Sequence, residues 1–540
     1  MTDPIGATPT LAPAASVNHT AEGWVGVNPH GKAYGLGPAI ALYAIALASV
    51  RTDEELRSRL RADTGQEWTD ADLSAARGQL AQLGFLDDET GSAASQKRRV
   101  RYVPPLTVQV TLANPERLFS LLQRLLGKVS TRTVFAVAAS AVVAGLVAAV
   151  INRDVVITSV THPLGLSEYL VLVAMLTVAT ALHEAGHAAA LARLGGRPRR
   201  VGVMLFYLLP AFFCDVSDAW RVGDRRQRAL VAASGVLVQV TLAGLAEVVA
   251  ALLPAGSTWQ EVLAAFGVVS FLAALVNAIP FVKFDGYIAL MALTGHNFLR
   301  RDAIAEGRRL LARAFLTRWV AYAFPDARWL RWYGVGCILF PAYLVASAMW
   351  LWVGDLRAFG AVGGVIGLVA VLAFIIAIAR EVGRVFRTAM DAGVGIARVG
   401  ASSVVLVGVV AAAGLLITTP TVTVSGYVRD GEDVRLVLPV GADSASISLP
   451  ARAVLRSNGL FLHEGAVQAS VAAETRFKPE VVPFAAVAPV RTSSVEFRGL
   501  TAPLTVEGQG AKVNELDQAG QALVYGAPAP LWLALWRALV

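Results

Sequence analysis

Residues 165–192 read GLSEYLVLVAMLTVATALHEAGHAAALA. At 1.5 Å per residue, a helix of that length outspans the roughly 30 Å hydrocarbon core of a bilayer. Further apolar runs lie at 133–151, 230–253, 262–282, 332–354, 359–379 and 402–418, which makes seven spans. The 540-residue chain is 55% hydrophobic and only 16% charged, which excludes an all-soluble protein. The expected fold is a mainly α-helical polytopic membrane protein of about seven spans.

The net charge of +8 invites a nucleic-acid reading, but its location argues against one. Residues 97–418 hold 31 Lys and Arg against 16 Asp and Glu, whereas the parts on either side are acidic or balanced. With the amino terminus in the cytoplasm, the inner flanks carry 29 Lys and Arg and the outer loops 2. That bias sets topology rather than binding phosphate, so nucleic acid is excluded as a partner. Seven spans then place the carboxy terminus outside. The first thirty residues lack an apolar core, so no cleavable signal peptide is expected. Two cysteines, Cys214 and Cys337, make no disulfide scaffold.

Outside the spans the rhythm changes. Residues 1–23 read as a disordered tail. Residues 24–96 read as a small cytosolic helical domain, with helices over Pro38–Val50, Asp53–Thr64 and Thr69–Leu86. Thr69 is a candidate N-cap, and Leu73, Ala76, Leu80 and Leu83 form one apolar stripe. Residues 97–132 read as a basic juxtamembrane linker, and 133–418 as the transmembrane core. Residues 201–213 (VGVMLFYLLPAFF) are too short to span and suit a re-entrant hairpin or strand. Short β-type runs at Thr421–Val428, Arg435–Val440, Ala445–Leu449, Val467–Phe477 and Ser493–Arg498 predict a small all-β domain over 419–526. An apolar tail, 527–540, ends the chain, and its last ten residues suit a membrane surface.

Chemistry concentrates where the quoted span ends, at His183-Glu184-Ala-Gly-His187. On a helix, positions i and i+4 share a face, so both imidazoles can hold one ion, with Glu184 beside a metal-bound water. Chance gives such an H-E-x-x-H roughly 0.003 times in a chain of this composition. Ionisable residues within an apolar span are costly and mark function. The span near 262–282 runs into Asn277-Ala-Ile-Pro280-Phe-Val-Lys-Phe-Asp285-Gly286-Tyr287. Pro280 breaks that helix, and the topology brings Asp285 to the same depth as His187. Cys214 and Asp215 are weaker candidates near a metal. His296 reads as a surface residue, His463 as remote from the chemistry, and the Arg-rich 300–331 segment as an interfacial amphipathic helix. Gly195-Gly196 reads as a helix stop.

These motifs resemble the site-2 protease family of intramembrane zinc metallopeptidases, whose signatures are H-E-x-x-H and, two spans later, N-x-x-P-x-x-x-x-D-G. The resemblance covers roughly 165–290 and includes an intervening span with a small-residue turn at Ala233-Ser234-Gly235. It implies that His183, His187 and Asp285 bind zinc, that Glu184 is the general base, and that Asn277 hydrogen-bonds the substrate carbonyl. The D-G-Y extension looks like the peptide zinc metalloprotease subgroup found beside bacterial peptide-modification genes. No insertion large enough for a PDZ domain separates the motif-bearing spans. Residues 24–90 look instead like the PqqD-like modules that grip leader peptides, and the β-rich end is vaguely like the periplasmic part of membrane-fusion adaptors. The whole layout is similar to the intramembrane metalloproteases of ribosomally made peptide pathways, the daptide type among them.

The resemblance implies hydrolysis of a peptide bond at membrane depth in a bacterial plasma membrane. The expected substrate is a small precursor or leader peptide, with an ABC exporter as a further partner. Two other functions compete: a regulatory protease cutting a membrane-bound signalling protein, and a non-catalytic peptide export or immunity component.

Overall fold

Caps and apolar stripes fix the local structure of the amino-terminal domain. The computed structural model describes residues 10–86 except 13–14, 21–22, 30–32 and 51, then 100–103, 107–113 and 124. It further describes 129–315 except 199, 207–208 and 297, then 320–357, 360–438, and 447–533 except 448, 461, 466, 489, 493–494 and 508–515. Three strands, β1 (Ser16–Thr20), β2 (Gly23–Val27) and β3 (Ala33–Leu36), form an antiparallel sheet in that order. Helices α1 (Pro38–Leu47), α2 (Asp53–Thr64) and α3 (Asp70–Gln82) follow. Thr69 caps α3 through a reciprocal box with Asp72, a device worth about 1 kcal/mol. The Thr69 hydroxyl and N–H hold the Asp72 carboxyl below its usual range. Leu56, Leu60, Leu73, Ala76 and Leu80 bury their stripes against Tyr43 and Phe85.

The sheet corrects the expectation of a purely helical domain, and β1 lies within the stretch read as a disordered tail. Strands of four or five residues carry too few repeats for alternation to show in sequence. The basic linker also holds structure: β4 (Val100–Val103) and β5 (Thr107–Ala113) form a hairpin.

Helices α4 (Thr131–Ile151), α5 (Arg153–Thr161) and α6 (Leu166–Arg193) follow, with β6 (Leu164–Gly165) just before α6. Strands β7 (Val201–Phe206) and β8 (Leu209–Cys214) come next, and with β4 and β5 they make a four-stranded sheet in the order β4-β5-β7-β8. The re-entrant segment is therefore a hairpin whose inner strand β7 is paired on both sides, with β8 as the edge of the sheet. The remaining helices are α7 (Arg225–Leu252), α8 (Thr258–Ala278), α9 (Asp285–Thr294), α10 (Leu299–Phe315), α11 (Arg328–Arg357), α12 (Gly360–Asp391) and α13 (Ile396–Leu416).

Seven of these helices are long and apolar enough to cross a membrane: α4, α6, α7, α8, α11, α12 and α13. The span expected over 262–282 starts and ends earlier, at Thr258 and Ala278, because Pro280 cannot continue the hydrogen-bond ladder. The small-residue turn expected at Ala233-Ser234-Gly235 is instead inside α7.

The chain divides into two compact units. One comprises Met1–Val142, Leu176–Ala243 and Ser270–Asn297; the other comprises Val143–Met175, Gly244–Val269 and Phe298–Val540. In the second unit, α10 does not present its apolar face to a lipid interface. Leu299, Ala303, Glu306 and Ala312 are fully buried, and α10 packs on α11 so closely that a Cβ at Gly334 would lie 1.8 Å from the Ala303 carbonyl oxygen. Glu306 accepts from Arg309 at 2.6 Å and from the Ala323 N–H at 2.9 Å, so its charge is not left uncompensated. Replacing Gly334→Ala is expected to cost about 1–3 kcal/mol by overpacking. Thermal unfolding in detergent would show a clear fall in midpoint, and an unchanged midpoint would contradict this packing.

The second unit also carries a closed β-barrel rather than an open sheet. Strands β9 (Thr418–Asp430), β10 (Asp433–Leu438), β11 (Ala451–Arg456), β12 (Val467–Val471), β15 (Glu496–Val506) and β16 (Ala519–Pro530) run in the order β10-β9-β16-β11-β12-β15, and β15 pairs back with β10. β13 (Lys478–Pro483) pairs with β15 outside that circuit. Closure removes unpaired edges, and Tyr427, Leu436, Leu455, Val471 and Val524 fill the interior. Of the expected strands, residues 439–440, 445–446, 448 and 493–494 lie outside the described residues, as do 534–540 of the apolar tail. β16 runs to Pro530 and takes the first residues assigned to that tail.

The barrel grips the segment that leads into α6. Ser457 Oγ donates to the Thr161 carbonyl at 2.5 Å, and Thr161 Oγ1 donates to Glu464 at 3.0 Å. β14 (Val490–Arg491) pairs in parallel with β6, and Arg491 meets Glu261 at 3.3 Å.

Candidate metal centre

A break between two helices brings a carboxylate to the histidine pair. His183 and His187 lie one turn apart on α6, 6% and 5% exposed. After α8 ends at Ala278, the chain turns at Pro280 and Phe281, bends through to Phe284, whose backbone is extended, and restarts as α9 with Asp285 as its first residue. Gly286 permits this: a Cβ there would lie 1.9 Å from the Ala278 carbonyl oxygen, so the D-G pair folds back on the end of α8 only with glycine. Asp285 Oδ2 then stands 2.9 Å from His183 Nε2 and 3.4 Å from His187 Nε2, and the two Nε2 atoms are 3.2 Å apart. Among the described residues, these three are the one group of His, Cys, Asp and Glu that converges closely enough to hold a metal.

α7 supports the pair from behind. His187 Nδ1 lies 2.8 Å from the Val231 carbonyl, and a carbonyl only accepts, so Nδ1 carries the proton. In the neutral ring Nε2 is then a bare lone pair, facing a buried carboxylate oxygen that receives no hydrogen bond. Two lone-pair atoms 3.4 Å apart repel unless a metal ion or a proton lies between them. Two imidazoles and a carboxylate match the donor set of catalytic zinc, and the Val231 contact would orient His187 toward an ion held there. Gly235 completes the fit, because a Cβ there would lie 2.4 Å from His187 Nε2 and 2.6 Å from His183 Nε2. Gly186 lets α6 and α7 approach, since its Cβ would meet Val238 at 2.8 Å and the Ser234 carbonyl at 3.0 Å.

Glu184 is held by the re-entrant hairpin. Its Oε2 accepts the Cys214 N–H at 2.8 Å. The next N–H, on Asp215, turns back to Arg200 on the β7 side, so the Cys214 N–H points off the free edge of β8. By strand alternation the N–H and carbonyl of Phe212 face off the same edge.

The other sequence candidates have different roles. Cys214 contributes its backbone rather than its thiol to these contacts, and Asp215 accepts from the Ser217 N–H and hydroxyl. Asn277 does not join the His183, His187 and Asp285 cluster. Its Nδ2 donates at 3.5 Å to Oε1 of Gln239 on α7. His463 lies in the barrel, with Nδ1 at 2.9 Å from the Ser457 carbonyl. Gly195, at φ +80°, stops α6 as expected.

Sequence reasoning missed the supporting residues Val231 and Gln239, and named Ser234 only as part of a turn. Gln239 alone left a signal, as a large polar side chain inside an apolar span. Compared with known proteins, the chain matches no family model, no curated protein and no solved structure.

Proposed function

We propose that the chain is an intramembrane zinc endopeptidase of the site-2 protease type that matures a ribosomally made peptide precursor. The observation that carries this reading is the convergence of His183, His187 and Asp285 with Glu184 adjacent and tethered through one oxygen only. His183, His187 and Asp285 would hold the ion. Bound zinc supplies Lewis acidity, which makes a water acidic enough to lose its proton near neutral pH. Glu184 Oε1, the oxygen not tied to Cys214, takes that proton and later returns it to the leaving amine. Asn277 donates an amide hydrogen to the carbonyl oxygen under attack. The free edge of β8 holds the unwound substrate by strand addition, with the N–H and carbonyl of Phe212 as its pairing groups. A helical substrate must unwind first, because its own hydrogen bonds occupy the scissile carbonyl.

The positive-inside bias of the sequence supports a cytoplasmic amino-terminal domain and an outer barrel. The amino-terminal domain then acts as a PqqD-like leader-binding module, an assignment that its length, its three helices α1–α3 and its position ahead of the spans support. The precursor's leader is its partner, and an ABC exporter takes the product.

The test uses the full chain in lipid nanodiscs with each small peptide found to be encoded beside its gene as a candidate precursor, followed by mass spectrometry. Cleavage of the precursor is expected, with complete loss on treatment with 1,10-phenanthroline and recovery on adding zinc. Cleavage that survives chelation sinks the metal mechanism. Cleavage of a single-span signalling protein in place of the small precursor moves the chain to the regulatory class.

A further inference from the structure

We infer that Gln239 is a positioning residue for Asn277, fixing which end of the Asn277 amide faces the reacting carbonyl; this rests on the proteolytic reading above. Gln239 lies one turn beyond Gly235 on α7, on the same helix face, and Gly235 is the residue that lies directly against the two imidazoles. It is 6% exposed. A primary amide buried at that depth is costly unless it is hydrogen-bonded, and its Oε1 is the acceptor for Asn277 Nδ2 at 3.5 Å.

The contact has a chemical consequence. An asparagine amide has two nearly isosteric ends, and only the nitrogen end can stabilise a developing oxyanion. Because the Gln239 oxygen accepts one of the two Nδ2 hydrogens, the nitrogen end turns toward α7 and its second hydrogen stays available for a substrate oxygen. With Gln239 Oε1 toward Asn277, the opposite orientation of the Asn277 amide would set two carbonyl oxygens against each other. Asn277 sits on the second-last residue of α8, just ahead of Pro280, where the helix no longer restrains the chain beyond it. An external brace from α7 therefore matters more here than in a helix interior. An interhelical polar pair that merely joins α7 to α8 predicts a loss of stability, with no special coupling to turnover.

The experiment compares wild type, Gln239→Leu, Gln239→Glu, Asn277→Ala and the Gln239→Leu/Asn277→Ala double variant in nanodiscs. It records kcat and KM on the precursor and zinc per protein, with Glu184→Gln as the inactive control. Gln239→Leu is expected to lower kcat about 10²-fold at unchanged KM and zinc content, the size of effect that a misplaced group produces. Gln239→Glu keeps an acceptor oxygen in place and is expected to restore most of that loss. The double variant is expected to be no slower than Asn277→Ala alone, because a brace has nothing left to position. Losses that multiply in the double variant, a normal kcat in Gln239→Leu, or reduced zinc in that variant would each overturn the inference while leaving the protease reading intact. Wild type no faster than Glu184→Gln would overturn both.

Discussion

Glu184→Gln is expected to stop precursor cleavage while leaving the metal in place. The substitution keeps shape and an acceptor oxygen, so the 2.8 Å hydrogen bond from the Cys214 N–H survives and the hairpin stays docked on α6. What is lost is a group that can take a proton. General-base catalysis contributes about 10²–10⁴-fold, which corresponds to roughly 3–5 kcal/mol of barrier. In the producing cell, full-length precursor should accumulate in the variant and trimmed peptide in the wild type, read by mass. Zinc per protein should match wild type. Identical trimmed peptide from both strains would end the maturation reading and leave a signalling protease or an export role.

The second large effect is expected from a residue with no chemistry of its own. In Gly235→Ala the new methyl would lie 2.4 Å from His187 Nε2 and 2.6 Å from His183 Nε2, where ordinary contact begins near 3.4 Å. The ligand atoms would have to retreat by about 1 Å, and displacement of that size costs about 10²-fold in rate even where it does not expel the ion. Alanine is the better helix former by about 1 kcal/mol, so α7 itself should not suffer. Zinc content should fall toward zero while the thermal midpoint in chelator stays at the wild-type value. Gly408→Ala, in open space on α13, serves as the control and should change neither. Full zinc occupancy in Gly235→Ala would mean that the imidazoles do not face α7 as described.

The motifs were legible because they use short spacings. H-E-x-x-H is one helical turn, and Pro280 followed by Asp285-Gly286 is one helix break, so His183, Glu184, His187 and Asp285 could be named from the chain alone. The seven spans were legible for a similar reason, since a bilayer imposes length and composition on each one independently. The strands of the linker left a trace in Val108, Val110 and Leu112, which alternate with Thr107, Gln109 and Thr111. Their partner, β7, lies about ninety residues away. Barrel closure was not legible at all, because it depends on β10 meeting β15 across more than sixty residues, and no local pattern records that pairing.

By itself, then, the sequence determined the membrane class, the number of spans, and four polar residues at two helix ends, because each of these follows from local spacing or from the cost of burying charge. Only the tertiary structure decided that Val231 fixes the His187 tautomer, that the Cys214 N–H holds Glu184, that Gly235 leaves room beside the imidazoles, and that Gln239 faces Asn277. Those are contacts between helices and strands that lie far apart in the chain. The packing of α6, α7 and α8 sets them to within a fraction of an ångström, and the spacing of residues along one chain carries no record of which faces will meet.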